Sequence, residues 1–94
     1  MDLEALRKEI DAIDDQIIEL FAKRMDIAAN IVQYKKENGK AVFDPDREQK
    51  KLADVISKSR DDMKQYTAFL FEQLFEVSRL HQNNLLNGST EVIE

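Results

Sequence analysis

Arg24 and Lys35 are the first residues of this chain whose spacing invites chemistry. They stand 11 positions apart. On a helix that leaves them about 20° apart around the axis and roughly 16 Å apart along it. Ala28 and Ile31 lie between them, so two long cationic side chains could lean together over a shallow floor and clamp one compact anion. Further on, Ser78 and Gln82 sit at i and i+4, two hydrogen-bonding groups on one helix face. Asp44, Arg47 and Glu48 form a separate i, i+3, i+4 set. The chain has no cysteine and a single histidine, His81. Nothing near His81 offers a triad partner or a second metal ligand, and it reads as a structural or surface residue. Gly-rich phosphate loops and metal-ligand spacings are absent from the sequence. This inventory does not suit covalent or hydrolytic catalysis. It suits holding a small polyanion and stabilising charge that develops within it.

Each of these residues also has a plainer reading. An arginine on an apolar face can snorkel to water. Lys35, with Lys36, would be favoured by the dipole at a helix C-terminus. Ser78 and Gln82 can be boundary residues. Asp44 to Glu48 can be a cap plus a surface ion pair worth ~1 kcal/mol at most.

The elements that must position these groups decide between the readings. Counted in steps of three and four, Leu3, Leu6, Ile10, Ile13, Ile17, Leu20, Arg24, Ile27, Ile31 and Tyr34 form one seam, the pattern of a helix that pairs with others. Ile18, Phe21, Met25, Ala28 and Val32 widen the stripe, as suits a helix with more than one neighbour. No Pro or Gly interrupts the run before Gly39. A helix from Asp2 to Asn38 would be roughly 55 Å long, whereas a compact chain of this length has a radius of gyration of about 12 Å. Another chain must therefore cover the seam. Arg24 is the one polar slot in it. An unpaired buried charge costs several kcal/mol, so a protein carboxylate or an anionic ligand must answer it. Arg7 lies about 25 Å from Arg24 and about 100° around the axis. It can join the same site only if an antiparallel second copy brings it there.

Gly39 suits the position just past a helix end. After a short connection over residues 40–43, Asp44 is a natural N-cap and Pro45 fits the first helical position. The second helix runs to about Lys58 with Leu52, Val55 and Ile56 inward. Residues 59–62 are polar and mark a break. A third helix extends from about Met63 to Leu86, its apolar face carrying Tyr66, Leu70, Leu74, Val77 and Leu85, broadened by Phe69, Phe71 and Phe75. Strand signatures and repeats are absent. The fold class is all-α, with three helices per subunit.

The 94 residues make one domain, near the size at which a single core is marginal. Two glycines and one proline suit a helical protein with short connections. The net charge of −5 argues against a nucleic-acid partner, while a local cationic cluster still permits a small anion. No apolar run approaches the ~20 residues of a membrane span, and no secretory signal is visible. The expectation is a cytoplasmic protein without nucleic-acid or membrane partners.

Taken together, Leu6-Arg7, Ala22-Lys23-Arg24, Tyr34-Lys35-Lys36, Asp44-Pro45-Asp46-Arg47-Glu48 and Ser78-Arg79-Leu80-His81-Gln82 resemble the all-α chorismate mutases, over about residues 3–86. No single motif is specific; the ordered set across three helices is. The resemblance implies an intertwined homodimer with two sites and the rearrangement of chorismate to prephenate, a step toward phenylalanine and tyrosine, with no cofactor or metal. It also implies roles. Arg7 of a second subunit and Arg24 would bind the two substrate carboxylates. Lys35 would bridge a carboxylate and the ether oxygen, to which Gln82 would also donate. Glu48 and the Asp44 backbone region would receive the ring hydroxyl, with Arg47 and Ser78 completing the polar wall. The catalytic residues on this reading are Lys35, Gln82 and Arg24. The domain would span residues 1–87, with residues 88–94 a flexible tail or the stub of a linker to a further domain. Two alternatives stay open: an isochorismate-pyruvate lyase on the same scaffold, and a non-catalytic helical dimerisation or regulatory module in which Arg24 sets register.

Overall fold

A computed structural model describes residues 2–88 and contains three α-helices. α1 spans Leu3–Glu37, α2 Pro45–Lys58 and α3 Lys64–Asn87. Of the tail expected over residues 88–94, residues 89–94 lie outside the described residues. Each boundary falls within one residue of the sequence expectation, because each is set by local chemistry. The Asp2 carboxylate accepts from the Glu4 N–H at 3.0 Å and starts α1. Gly39 adopts φ 64° just past its end. There the Lys40 N–H donates to the Lys35 carbonyl at 2.8 Å and the Gly39 N–H to that of Lys36 at 3.4 Å, the paired bonds of a Schellman motif. Asp44 caps α2 through the Arg47 N–H at 3.1 Å, with Pro45 in the first position. The polar break becomes a loop and a single 3₁₀ turn, Asp61–Met63. Ser59 and Thr67 join their hydroxyls across it at 2.6 Å. Gly88, at φ 63°, ends α3.

α3 packs against both α1 and α2. The small core lies where they meet, at Ala28 and Val32 of α1, Val55 of α2 and Phe75 of α3. Phe71 meets Phe75 edge to face, with centroids 6.3 Å apart. Only the C-terminal half of α1 takes part. Every residue from 2 to 23 is exposed, including Leu3, Leu6, Ile10, Ile13, Ile17 and Leu20 of the seam. The subunit is accordingly drawn out: its radius of gyration is 16.2 Å and its longest extent 55 Å.

Part of the apolar face read from the sequence of α3 stays bare within the subunit. Tyr66, Leu70 and Leu85 do not form the packed face of α3 within the subunit; they are 70 %, 55 % and 50 % exposed. The inward face runs through Phe71, Phe75, Ser78 and Gln82. The apolar stripe of α3 is wider than its two neighbours can cover, and periodicity alone does not say which edge they take. Among the described residues, no helix is long and apolar enough to cross a membrane.

Candidate active site

A cavity of about 310 Å³ opens where the three helices converge. α1 supplies Arg24, Ile27, Ala28, Ile31 and Lys35; the start of α2 supplies Asp44, Arg47, Glu48 and Lys51; α3 supplies Phe75, Ser78, Arg79 and Gln82. Seven of the eight residues singled out from sequence therefore share one wall. Arg7 is the exception. It lies on the bare half of α1 and does not line this cavity. Ala28 and Ile31 do form the floor between Arg24 and Lys35.

The wall carries five cationic side chains, Arg24, Lys35, Arg47, Lys51 and Arg79, against two carboxylates, Asp44 and Glu48. It thus holds an excess of three positive charges in a chain whose net charge is −5. A concave site of one sign concentrates ligands of the other. The volume is at the lower end of the ~300–1,000 Å³ usual for small-molecule sites.

Several polar groups are already oriented. Gln82 is 6 % exposed, and its Nε2 donates to the Ala28 carbonyl at 2.9 Å. A carbonyl only accepts, so the amide nitrogen must face α1, leaving its second N–H for a ligand. Lys35 Nζ donates to the Val42 carbonyl at 2.7 Å, which draws the lysine toward the connection that leads into α2. An ammonium has three donors, so two more can serve a bound anion. The Asp44 side chain is engaged as the α2 cap.

Glu48 pairs with Arg79 of α3, whose Nη1 reaches both carboxylate oxygens at 2.6 and 2.8 Å. Arg79 and Lys51 belong to this wall, yet sequence reasoning gave neither a role. There was a trace of each. Apart from Lys64 at its start, Arg79 is the only lysine or arginine on α3. Lys51 follows Arg47 by four residues and so shares its face of α2.

Fold and site together define an all-α domain that gathers cations and neutral donors around one cavity. Residues 6–83 match the family described as chorismate mutase type II. The chain belongs to that family. It is 36 % identical over 88 residues to a bifunctional chorismate mutase/prephenate dehydratase of Buchnera aphidicola subsp. Schizaphis graminum, a match covering 92 % of this chain and 23 % of that protein. It is 39 % identical over 46 residues to the T-protein of Haemophilus influenzae, covering 49 % of this chain and 12 % of the relative. A chorismate mutase of Methanocaldococcus jannaschii is 39 % identical over 56 residues, 60 % of this chain and 56 % of that protein. The chain thus spans less than two thirds of the length of the curated relatives it matches. No solved structure matches it significantly.

Proposed function

We propose that this chain is a chorismate mutase that converts chorismate to prephenate, in the cytoplasm and on the route to phenylalanine and tyrosine. The observation that carries the reading is the single cavity in which Arg24, Lys35 and Gln82 meet Glu48 and Ser78, within a chain of the type II family. A [3,3] rearrangement needs no nucleophile and no proton transfer. It needs a flexible dianion held in a folded, near-attack shape. It also needs donors aimed at the ether oxygen, where negative charge builds as the C–O bond breaks. In this reading Arg24 binds one carboxylate. Lys35 bridges a carboxylate and the ether oxygen, and the outward N–H of Gln82 donates to the same oxygen. Glu48, with the Asp44 backbone, accepts from the ring hydroxyl. Arg47 and Ser78 complete the wall.

The active form in this proposal is a homodimer in which two copies of α1 run along one another. The exposed seam supports it, since each Leu or Ile buried there contributes roughly 1.5–3 kcal/mol. Antiparallel pairing carries Arg7 of one copy to the cavity of the other, where it binds the second carboxylate.

The test is a chorismate-disappearance assay on the purified chain, with product identification. Prephenate is the expected product. Salicylate with pyruvate from isochorismate, or no turnover at all, would overturn the reading.

A further inference from the structure

Arg79 is the one charged group of α3 in the cavity wall to which the proposed chemistry gives no task. It is nevertheless the most tightly placed cation there. Its Nη1 holds both oxygens of Glu48, and its guanidinium lies over the Phe43 ring, 4.8 Å from the centroid. Both members of the ion pair are partly buried, with side chains 30 % and 23 % exposed. Glu48 also borders a second, shallower groove of about 220 Å³, lined by Phe43, Pro45, Leu52 and Phe75 among others. A glutamate with three rotatable bonds at the rim of two cavities has two places to go. Arg79, which holds both of its oxygens, lines the main cavity and not the groove.

We propose that Arg79 is a positioning residue that fixes the Glu48 carboxylate toward the main cavity as the acceptor for the substrate's ring hydroxyl. The inference rests on the mutase reading and deepens it. Two effects follow from the geometry. Glu48 does not have to be ordered when substrate arrives, which removes part of the entropic cost of binding. Its charge is also matched within the wall, so it accepts from a neutral hydroxyl without repelling a dicarboxylate that must lie beside it.

A double-mutant cycle on the full chain tests this, with melting temperature measured for every variant. The contact with the hydroxyl exists in the bound substrate as well as in the transition state, so its loss is read mainly in KM. Arg79→Met is expected to raise KM for chorismate about tenfold and to change kcat by less than about threefold. Arg79→Lys should fall between, because one ammonium can bridge both oxygens but has no planar face to set on Phe43. Added to Glu48→Gln, Arg79→Met should cost little more, since the group it positions is already gone. Equal fold-losses in the presence and absence of Glu48 would assign Arg79 a merely structural role and overturn the proposal. Phe43→Ala loosens the brace while leaving the pair, and gives an independent readout if Arg79→Met does not fold. An unchanged KM in both Phe43→Ala and Arg79→Lys would likewise overturn it. Absence of turnover in the wild-type chain would instead overturn the function on which the inference rests.

Discussion

The Gln82 amide crosses from α3 to donate to the Ala28 carbonyl of α1 at 2.9 Å. This bond joins two helices and, in the proposed mechanism, aims the donor to the ether oxygen at once. A glutamate in that position would face the same carbonyl and could donate only when protonated. A protonated glutamate has one O–H, for which the Ala28 carbonyl and the ligand compete, so Gln82→Glu should keep part of its activity at acid pH and lose it as pH rises through the pKa of the introduced carboxyl. Wild-type kcat should be flat over the same window, since an amide does not titrate. A pH–rate profile of the two proteins checks this; parallel profiles would remove Gln82 from the ether-oxygen site.

Lys35→Ala should leave the helices intact and abolish most turnover. Removing one donor from developing charge typically costs about 10²–10³ in kcat. Circular dichroism and steady-state rates on the same sample separate folding from chemistry. Turnover close to wild type would sink the assignment.

The proposed sharing of Arg7 can be tested by complementation. Arg7→Ala and Lys35→Ala should each be inactive alone. After subunit exchange, each mixed dimer has one site with both residues intact. An equimolar mixture should therefore recover about a quarter of wild-type activity, by the two-fold symmetry of the assembly. No recovery after exchange has been confirmed by mass would argue against a site built from two chains.

With residues 2–23 exposed in the subunit, stability should depend on protein concentration, because mass action couples folding to assembly. Thermal melting should shift upward as the chain is concentrated. Ile13→Lys, in the middle of the bare seam, should abolish the dimer in sedimentation equilibrium and with it the activity. A folded, active monomer at nanomolar concentration would contradict the two-chain architecture.

The helices were legible in the sequence because their ends are written in short-range chemistry. Asp2, Gly39, Asp44-Pro45 and Gly88 each act on the few residues beside them. The site was legible in part for a related reason. Arg24 and Lys35 share a helix, so their relation follows from the rise and turn per residue. Arg79 was harder to see. Its partner Glu48 is 31 residues away, and Phe43 belongs to a connection with no periodicity to place it. The packed face of α3 was not legible, because its apolar stripe exceeds what one subunit covers. Burial there depends on neighbours that the pattern along one helix does not identify.

The connection between α1 and α2 is exposed along most of its length, and exposed loops ordinarily tolerate insertions and deletions. This one is bound at both ends to residues of the cavity. The Lys35 backbone carbonyl accepts from the Lys40 N–H, its side chain donates to the Val42 carbonyl, and Asp44 caps the helix that carries Glu48. A single residue gained or lost between Gly39 and Asp44 would displace the Lys35 ammonium relative to the Glu48 carboxylate in the wall of the cavity. Loop length here is thus tied to the geometry of the cavity, and natural or engineered variants should diversify this segment by substitution and not by changes of length.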